Sequence, residues 1–267
     1  MNGDFLALLP KAQFPQATVN VGPDRLRAGA ASPFLGPAPE PLQATTVFAF
    51  HCKAGVVIAG DHRATAGNVV FSDRTEKILE LDSHSLMAIA GVPATAFEMA
   101  RTLQTSFEFY RRSQLQPMSL PAKIRALSQL LRNNIPATIQ GFGVVAPIFA
   151  GVETNEPDAQ PQIYFYDPLG AQFEATHYAG SGSGSGSIKS VLSFLERWGE
   201  PKPAEMPLDQ AVVLANRLLM TAAEFDTATG GVHPEKQQYA TIRLVSRQGI
   251  QAVSTEAQAG MWKEAHD

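Results

Sequence analysis

The order of the predicted strands and helices is the feature that most restricts the fold of this chain. Alternating apolar residues predict one hairpin over residues 46–50 and 55–60 and a second over residues 77–81 and 85–90. Further along, the predicted elements are two helices (94–112 and 120–135), three strands (144–152, 163–166 and 173–178), two helices (188–198 and 208–225) and a last hairpin (239–246 and 250–253). Because this order is not an alternation of single strands and helices, it predicts an α+β fold in which two antiparallel sheets stack between helical layers.

The composition changes abruptly near residue 44. Seven of the 19 prolines lie in residues 1–44, which have neither helical nor strand periodicity. We interpret residues 1–44 as a leader or arm and residues 45–267 as one folded domain. An ordinary N-terminal extension is the alternative when the leader is considered alone.

Charge and cysteine content exclude several classes of function. The net charge of −4 is mixed along the chain, which gives no reason to expect nucleic acid or a membrane surface as a partner. The single Cys52 excludes an intramolecular disulfide, and no Cys/His spacing is typical of a zinc site. The run 180–187 lacks the Lys-Ser/Thr ending of a phosphate-binding loop. We therefore expect a cytoplasmic protein without a metal or cofactor.

Three residues around the end of the leader suggest nucleophilic chemistry. Cleavage after Ala44 would leave Thr45 with both a hydroxyl and a free α-amino group, a base whose pKa is ordinarily about 7.7–8. Asp61 follows the second predicted strand, so we expect its carboxylate to reach the Thr45 hydroxyl, with Lys77 as its ionic partner. Considered alone, Asp61 and Lys77 are better explained as a strand-end acid and an exposed base than as catalytic residues.

Six segments resemble the proteasome β subunits, and the sequence Asp-Thr-Ala-Thr-Gly-Gly together with the long proline-bearing leader resembles the bacterial proteasome more than the bacterial two-ring peptidase. The segments are Ala44–Ala49, Gly55–Thr65, Glu76–Ile78, Ile89–Gly91, Gly180–Ser185 and Asp226–Gly231. The resemblance implies the four-layer αββα sandwich of the N-terminal-nucleophile hydrolases and self-cleavage between Ala44 and Thr45. Ala44 departs from the glycine that the family usually has before the nucleophile.

The resemblance also implies a set of catalytic residues. Thr45 would act as nucleophile and base, Asp61 and Lys77 would support it, and the N–H of Gly91 would bind the oxyanion. The residues expected around the new amino terminus are Ser183, Asp226 and Thr229, with Ser181 as the alternative to Ser183 because the Gly-Ser run permits two registers.

Substrate binding is implied in the same way. Thr65 and Gly91 would hydrogen-bond an extended peptide. The side-chain pocket would be lined by Ala64, Thr75, Leu79, Ile89, Pro93 and Phe97, an uncharged set that predicts cleavage after hydrophobic residues. Leu79, Ile89 and Phe97 are each also compatible with ordinary core packing.

The family resemblance predicts the partners. They are copies of this chain in heptameric β-rings, proteasome α-subunit rings and, indirectly, a ring-shaped ATPase that delivers tagged protein substrates. Two alternatives remain open: a catalytically silent ring scaffold, and another N-terminal-nucleophile amidohydrolase acting on a small amide.

Overall fold

A computed structural model describes residues 45–66 and 69–265, and the leader 1–44 lies outside these residues. The strands are β1 (Thr46–Cys52), β2 (Gly55–Gly60), β3 (Ala64–Ala66), β4 (Val69–Ser72), β5 (Ile78–Asp82), β6 (Ser85–Ala88), β7 (Ile148–Gly151), β8 (Gln162–Tyr166), β9 (Gln172–Ala175), β10 (Tyr178–Gly182), β11 (Thr241–Ser246) and β12 (Gly249–Ala252). The α-helices are α1 (Pro93–Gln114), α2 (Leu120–Asn133), α3 (Ile135–Ile139), α4 (Ser185–Trp198), α5 (Leu208–Phe225) and α6 (Thr255–Glu264).

Ten of these strands form two five-stranded sheets. The first has the order β10-β1-β2-β11-β12 and the second the order β5-β6-β7-β8-β9, while β3 and β4 form a separate hairpin. Every strand pair is antiparallel. In the first sheet β1 lies between β10 and β2, so its first residues have a neighbouring strand on each side.

Side chains alternate between the two faces of each strand, and each face packs against a different layer. Phe48 and Phe50 of β1 pack against α4 and α5, whereas Val47 and Ala49 point between the two sheets. On the outer face of the second sheet, a third apolar cluster contains Leu103 of α1 and other residues of α1 and α2. The order helix, sheet, sheet, helix is the predicted αββα sandwich, and the fold prediction is confirmed.

Some local predictions were wrong. Residues 173–178 are not one strand: β9 ends at Ala175 and pairs with β8 in the second sheet, whereas β10 begins at Tyr178 and pairs with β1 in the first. The strand predicted over 144–152 is confined to β7, because Pro147 has no N–H for a ladder hydrogen bond. The hairpin β3–β4 and the helix α6 were not predicted. No helix of residues 45–66 and 69–265 is long and apolar enough to cross a bilayer.

Candidate active site

The carboxylate of Asp61, directly after β2, is the centre of a buried polar cluster. The side chain of Asp61 is fully buried, and its Oδ1 accepts hydrogen bonds from the Thr46 N–H at 3.0 Å and from Lys77 Nζ at 2.6 Å. Its Oδ2 accepts from the N–H groups of Arg63 at 3.0 Å and Gly230 at 2.7 Å. Four donors therefore fix this carboxylate, which is the way a buried charge is kept stable.

Lys77 supplies the positive charge of the cluster. It lies directly before β5, its side chain is 1% exposed, and it donates to the Asp61 carboxylate and to the Arg63 carbonyl. Burial lowers the pKa of Lys77, while the neighbouring Asp61 acts in the opposite direction. An ammonium in this setting releases its proton more readily than a surface lysine does.

Thr45 lies directly before β1, next in sequence to Thr46, whose N–H bonds to Asp61. It is 4% exposed, and its carbonyl accepts a hydrogen bond from the Ser183 N–H at 3.1 Å. The next residue, Thr46, exchanges two bonds with Asp61: its N–H donates to the carboxylate, and its carbonyl accepts from the Asp61 N–H at 3.2 Å. Ala44, the residue predicted to precede the cleavage, lies outside the described residues.

The expected contact between the Asp61 carboxylate and the Thr45 hydroxyl is not found within the described residues. The carboxylate bonds instead to the main chain of Thr46. The reason is that the antiparallel pairing of β1 with β2 places Asp61 opposite the main chain of Thr46, and three other donors occupy its remaining acceptor positions. Asp61 is therefore connected to the start of β1 through the main chain of Thr46.

A second polar cluster joins the end of β10 to the segment after α5. Ser183 Oγ and Thr229 Oγ1 each donate to Asp226 Oδ2 at 2.6 Å. Thr229 Oγ1 also lies 2.6 Å from Thr46 Oγ1, which accepts from the Gly184 N–H at 3.0 Å. Since the Thr229 proton is directed to Asp226, Thr46 must be the donor to Thr229. The hydroxyls thus form a directed chain that ends at the Asp226 carboxylate.

Asp226 is the charged member of this chain. Burial favours its neutral form, but the hydrogen bonds from Ser183 and Thr229 outweigh burial and hold the pKa of Asp226 below its ordinary value. The carboxylate is therefore ionised at neutral pH.

The two registers that the Gly-Ser run permits have different contacts. Ser183 faces Asp226, whereas Ser181 Oγ donates to the Ala146 carbonyl at 2.7 Å, on the side of the second sheet. Gly182 between them has φ +95°, and a Cβ there would lie 1.6 Å from the Thr45 carbonyl oxygen. Only glycine fits this position, which fixes the register of Ser183 beside Thr45.

Gly91 has a similar steric requirement. Its φ is +113°, and a Cβ would lie 2.1 Å from the Val144 carbonyl oxygen. Gly91 opposes Val145, and its two neighbours make the flanking hydrogen bonds, each 2.8 Å, so the N–H of Gly91 takes no part in them. The Ile89 N–H donates to the Lys77 carbonyl at 2.8 Å, which ties this segment to the ion pair.

The residues expected to line the substrate pocket lie on several elements. Ile89 belongs to the cluster between α1 and the second sheet, and half-buried Leu79 and Phe97 pack against it. The other predicted substrate-binding residues are Ala64 and Thr65 on β3, Thr75 between β4 and β5, and Pro93 at the start of α1. In the part of the chain that the structure describes, the Thr65 hydroxyl is the one buried side-chain polar atom without a hydrogen-bond partner.

Four residues of the site were not predicted from the sequence. They are Thr46, Arg63, Gly184 and Gly230, which contribute main-chain or hydroxyl groups to the two clusters. Each lies inside one of the segments that resemble the proteasome β subunits, but a main-chain N–H donor is present in almost every residue type and cannot be recognised from the sequence. Within residues 45–66 and 69–265, no group of three or more His, Cys, Asp or Glu could hold a metal ion.

The chain is similar to known proteins over most of its length. The family model for the proteasome subunit matches residues 42–233. "Proteasome subunit beta" of Acidothermus cellulolyticus is 33% identical over 241 residues, which cover 90% of this chain and 81% of that protein. "Proteasome subunit beta" of Stackebrandtia nassauensis (33%; 84% and 82%) and "Proteasome subunit beta 2" of Thermomonospora curvata (33%; 89% and 82%) match in the same way. The chain therefore belongs to the proteasome subunit family.

Proposed function

We propose that this chain is a threonine endopeptidase subunit of a bacterial proteasome core, with Thr45 as its N-terminal nucleophile. The observation that carries the proposal is the buried ion pair of Lys77 and Asp61, at 2.6 Å, whose carboxylate also holds the N–H of Thr46. A buried charge pair needs its neighbours to be fixed, and this one is fixed against the residue that follows Thr45. The β-subunit names of the relatives support the same assignment.

Cleavage between Ala44 and Thr45 would create the catalytic group. The free α-amino group of Thr45 takes the proton of its own hydroxyl as Oγ adds to the carbonyl carbon of a substrate peptide. The tetrahedral intermediate then expels the amine, which receives that proton, and an ester to Thr45 remains. Water adds to the ester carbonyl, again with the α-amino group as base; the bond between the acyl carbon and Thr45 Oγ then breaks, the proton passes to Oγ, and the acid product leaves.

The surrounding residues would stabilise the charges of these steps. The positive charge of Lys77 favours the developing alkoxide on Thr45, and Asp61 keeps Lys77 in place. The N–H of Gly91, which is not used by the flanking strand bonds, is available to the oxyanion. Ser183, Asp226 and Thr229 would orient the new amino terminus.

Substrate preference would follow from the uncharged residues near β3, β5 and α1. We propose that Thr65 and Gly91 bind the peptide main chain. We propose a preference for hydrophobic residues before the cut, in a pocket lined by Ala64, Thr75, Leu79, Ile89, Pro93 and Phe97.

The proposal includes maturation and assembly. Residues 1–44 would be a propeptide, and the mature chain would form rings with copies of itself, stacked against α-subunit rings in the cytoplasm. A ring-shaped ATPase would deliver unfolded, tagged substrates to the closed chamber. Support for assembly comes from membership of the family and from the names of the relatives.

Peptide hydrolysis by the assembled particle tests the proposal. The chain is co-expressed with the α subunit of the same organism, and hydrolysis is measured on fluorogenic peptides that carry Leu, Tyr, Arg or Asp before the leaving group. We expect activity on the Leu and Tyr peptides and a loss of more than about 10³-fold in Thr45→Val, which replaces the hydroxyl with a methyl group of similar size.

Thr105→Val, the same change at an exposed position of α1, is the matched control and should keep the wild-type rate. Equal rates for Thr45→Val and wild type would overturn the assignment of the nucleophile. Assembled wild-type rings without peptidase activity would favour the silent scaffold instead.

A further inference from the structure

The guanidinium of Arg63 connects two segments that are distant in sequence. Its Nη1 donates to the main-chain carbonyl of Thr227 at 3.1 Å and to that of Thr229 at 3.5 Å. Its Nε donates to Asp73 Oδ1 at 2.9 Å. Arg63 therefore holds the 226–230 segment by its main chain, with Asp73 fixing the plane of the guanidinium.

The main chain of Arg63 belongs to the catalytic ion pair. Its N–H donates to Asp61 Oδ2 at 3.0 Å, and its carbonyl accepts a hydrogen bond from Lys77 Nζ. The same Asp61 oxygen accepts from the Gly230 N–H at 2.7 Å. Arg63 therefore holds the 226–230 segment through its side chain, and the same segment binds Asp61 through the N–H of Gly230.

The contacts of the 226–230 segment explain why its position matters. Thr229 Oγ1 bonds Asp226 and lies 2.6 Å from Thr46 Oγ1, and Asp226 also accepts from Ser183. A small displacement of this segment would change both polar clusters at once, because hydrogen bonds weaken steeply with distance and angle.

We propose that Arg63, oriented by Asp73, is a positioning residue that holds the 226–230 segment against the Asp61–Lys77 pair. This inference rests on the proposed function for its kinetic consequence. The side-chain hydrogen bonds of Arg63 go to Asp73, Thr227 and Thr229 rather than to Thr45, so it acts through Thr229 and Gly230. Arginine suits this role because the planar guanidinium presents donors on separate nitrogens, Nε to the carboxylate and Nη1 to the two carbonyls, whereas the three donors of a lysine ammonium share one nitrogen.

The partial exposure of the Arg63–Asp73 ion pair allows a positioning role to be distinguished from a contribution to the stability of the fold. The side chains of Arg63 and Asp73 are 27% and 49% exposed. Ion pairs exposed to this extent contribute little to folding, so their removal should leave the fold intact. An effect on turnover would then report the position of the segment.

The test compares Arg63→Lys, Arg63→Met and Asp73→Asn with Arg111→Met in the assembled particle. Arg111 is the matched control, since it forms a similar exposed pair with Glu108 on α1 at 2.8 Å. Two quantities are measured: the split between kcat and KM, and amide hydrogen exchange of the peptide covering residues 226–231.

We expect both Arg63 variants to lower kcat about 10- to 100-fold with KM changed less than about threefold. Exchange of the 226–231 peptide should accelerate about tenfold or more, as local opening becomes easier, while peptides of α1 keep the wild-type rate. Asp73→Asn should show both changes to a smaller extent, and the double variant with Arg63→Lys should be less than additive.

Unchanged exchange at 226–231 in Arg63→Met would overturn the inference, whatever the kinetics. Faster exchange with unchanged kcat would also overturn it, because the segment would then have no influence on turnover. An inactive wild-type particle would contradict the proposed function, and in that case the exchange measurement still decides whether Arg63 holds the segment.

Discussion

Replacement of Asp61 by asparagine removes the negative charge of the buried pair while it keeps the shape of the side chain. The amide retains one acceptor oxygen and places an NH₂ group where the other oxygen was. Lys77, whose side chain is 1% exposed, then has no counter-ion. One or two of the main-chain N–H groups that donate to Asp61 in the wild type also lose their acceptor.

The loss of stability can be worked out from these contacts. A buried ion pair that loses one partner costs about 3–5 kcal/mol, and a buried main-chain donor without an acceptor costs about 1–3 kcal/mol. We therefore expect Asp61→Asn to lower the free energy of unfolding by at least about 3 kcal/mol. The assay is urea unfolding of the unassembled full-length chain, followed by circular dichroism.

The double variant Asp61→Asn/Lys77→Met tests the cause of this loss. Because the methionine removes the unpaired charge, the double variant should be at least about 2 kcal/mol more stable than Asp61→Asn, although it should be inactive. The control Asp158→Asn changes a fully exposed aspartate and should shift the free energy by less than about 0.5 kcal/mol. A double variant less stable than Asp61→Asn would show that the unpaired charge of Lys77 is not the cause of the loss.

Three further variants test other parts of the site. Gly91→Ala should prevent folding or assembly, since its Cβ would lie 2.1 Å from the Val144 carbonyl oxygen; soluble yield and gel filtration measure this, and a normally assembled particle would contradict it. Asp226→Asn should destabilise the chain at pH 7, but not at low pH. Because the pKa of Asp226 is lowered in the folded chain, the stabilisation by its ionised carboxylate is complete above about pH 3.8 and is lost as the pH falls through the folded-state pKa. A difference in the free energy of unfolding between wild type and variant that does not depend on pH would contradict this. Ser183→Ala should reduce kcat more than Ser181→Ala, because only Ser183 donates to Asp226; a larger effect at Ser181 would reverse the register.

The layered fold was predictable because the strands alternate and the helices have one apolar face. The strand β1 shows this clearly, since its odd and even positions enter two different apolar clusters. The break between β9 and β10 was not predictable, because residues 173–178 have one continuous strand-like composition. Which sheet each half joins depends on pairing with β8 and β1, which are distant in sequence.

The site was predictable to the extent that it depends on residue type. Asp61 and Lys77 were expected to form an ion pair, and the structure has it at 2.6 Å. The contact of Asp61 with the main chain of Thr46, rather than with the Thr45 hydroxyl, depends on strand register and could not be inferred from composition. The side-chain contacts of Arg63 were missed for a related reason: their partners are carbonyls of a segment more than 160 residues away.

The most direct test of the central claim is the intact mass and N-terminal sequence of this chain after co-expression with an α subunit, measured for wild type and Thr45→Val. We expect a wild-type chain that begins at Thr45 and a variant that keeps residues 1–44. An assembled wild-type chain that keeps its first 44 residues would exclude Thr45 as the N-terminal nucleophile, because Thr45 would then have no free amino group to act as the base.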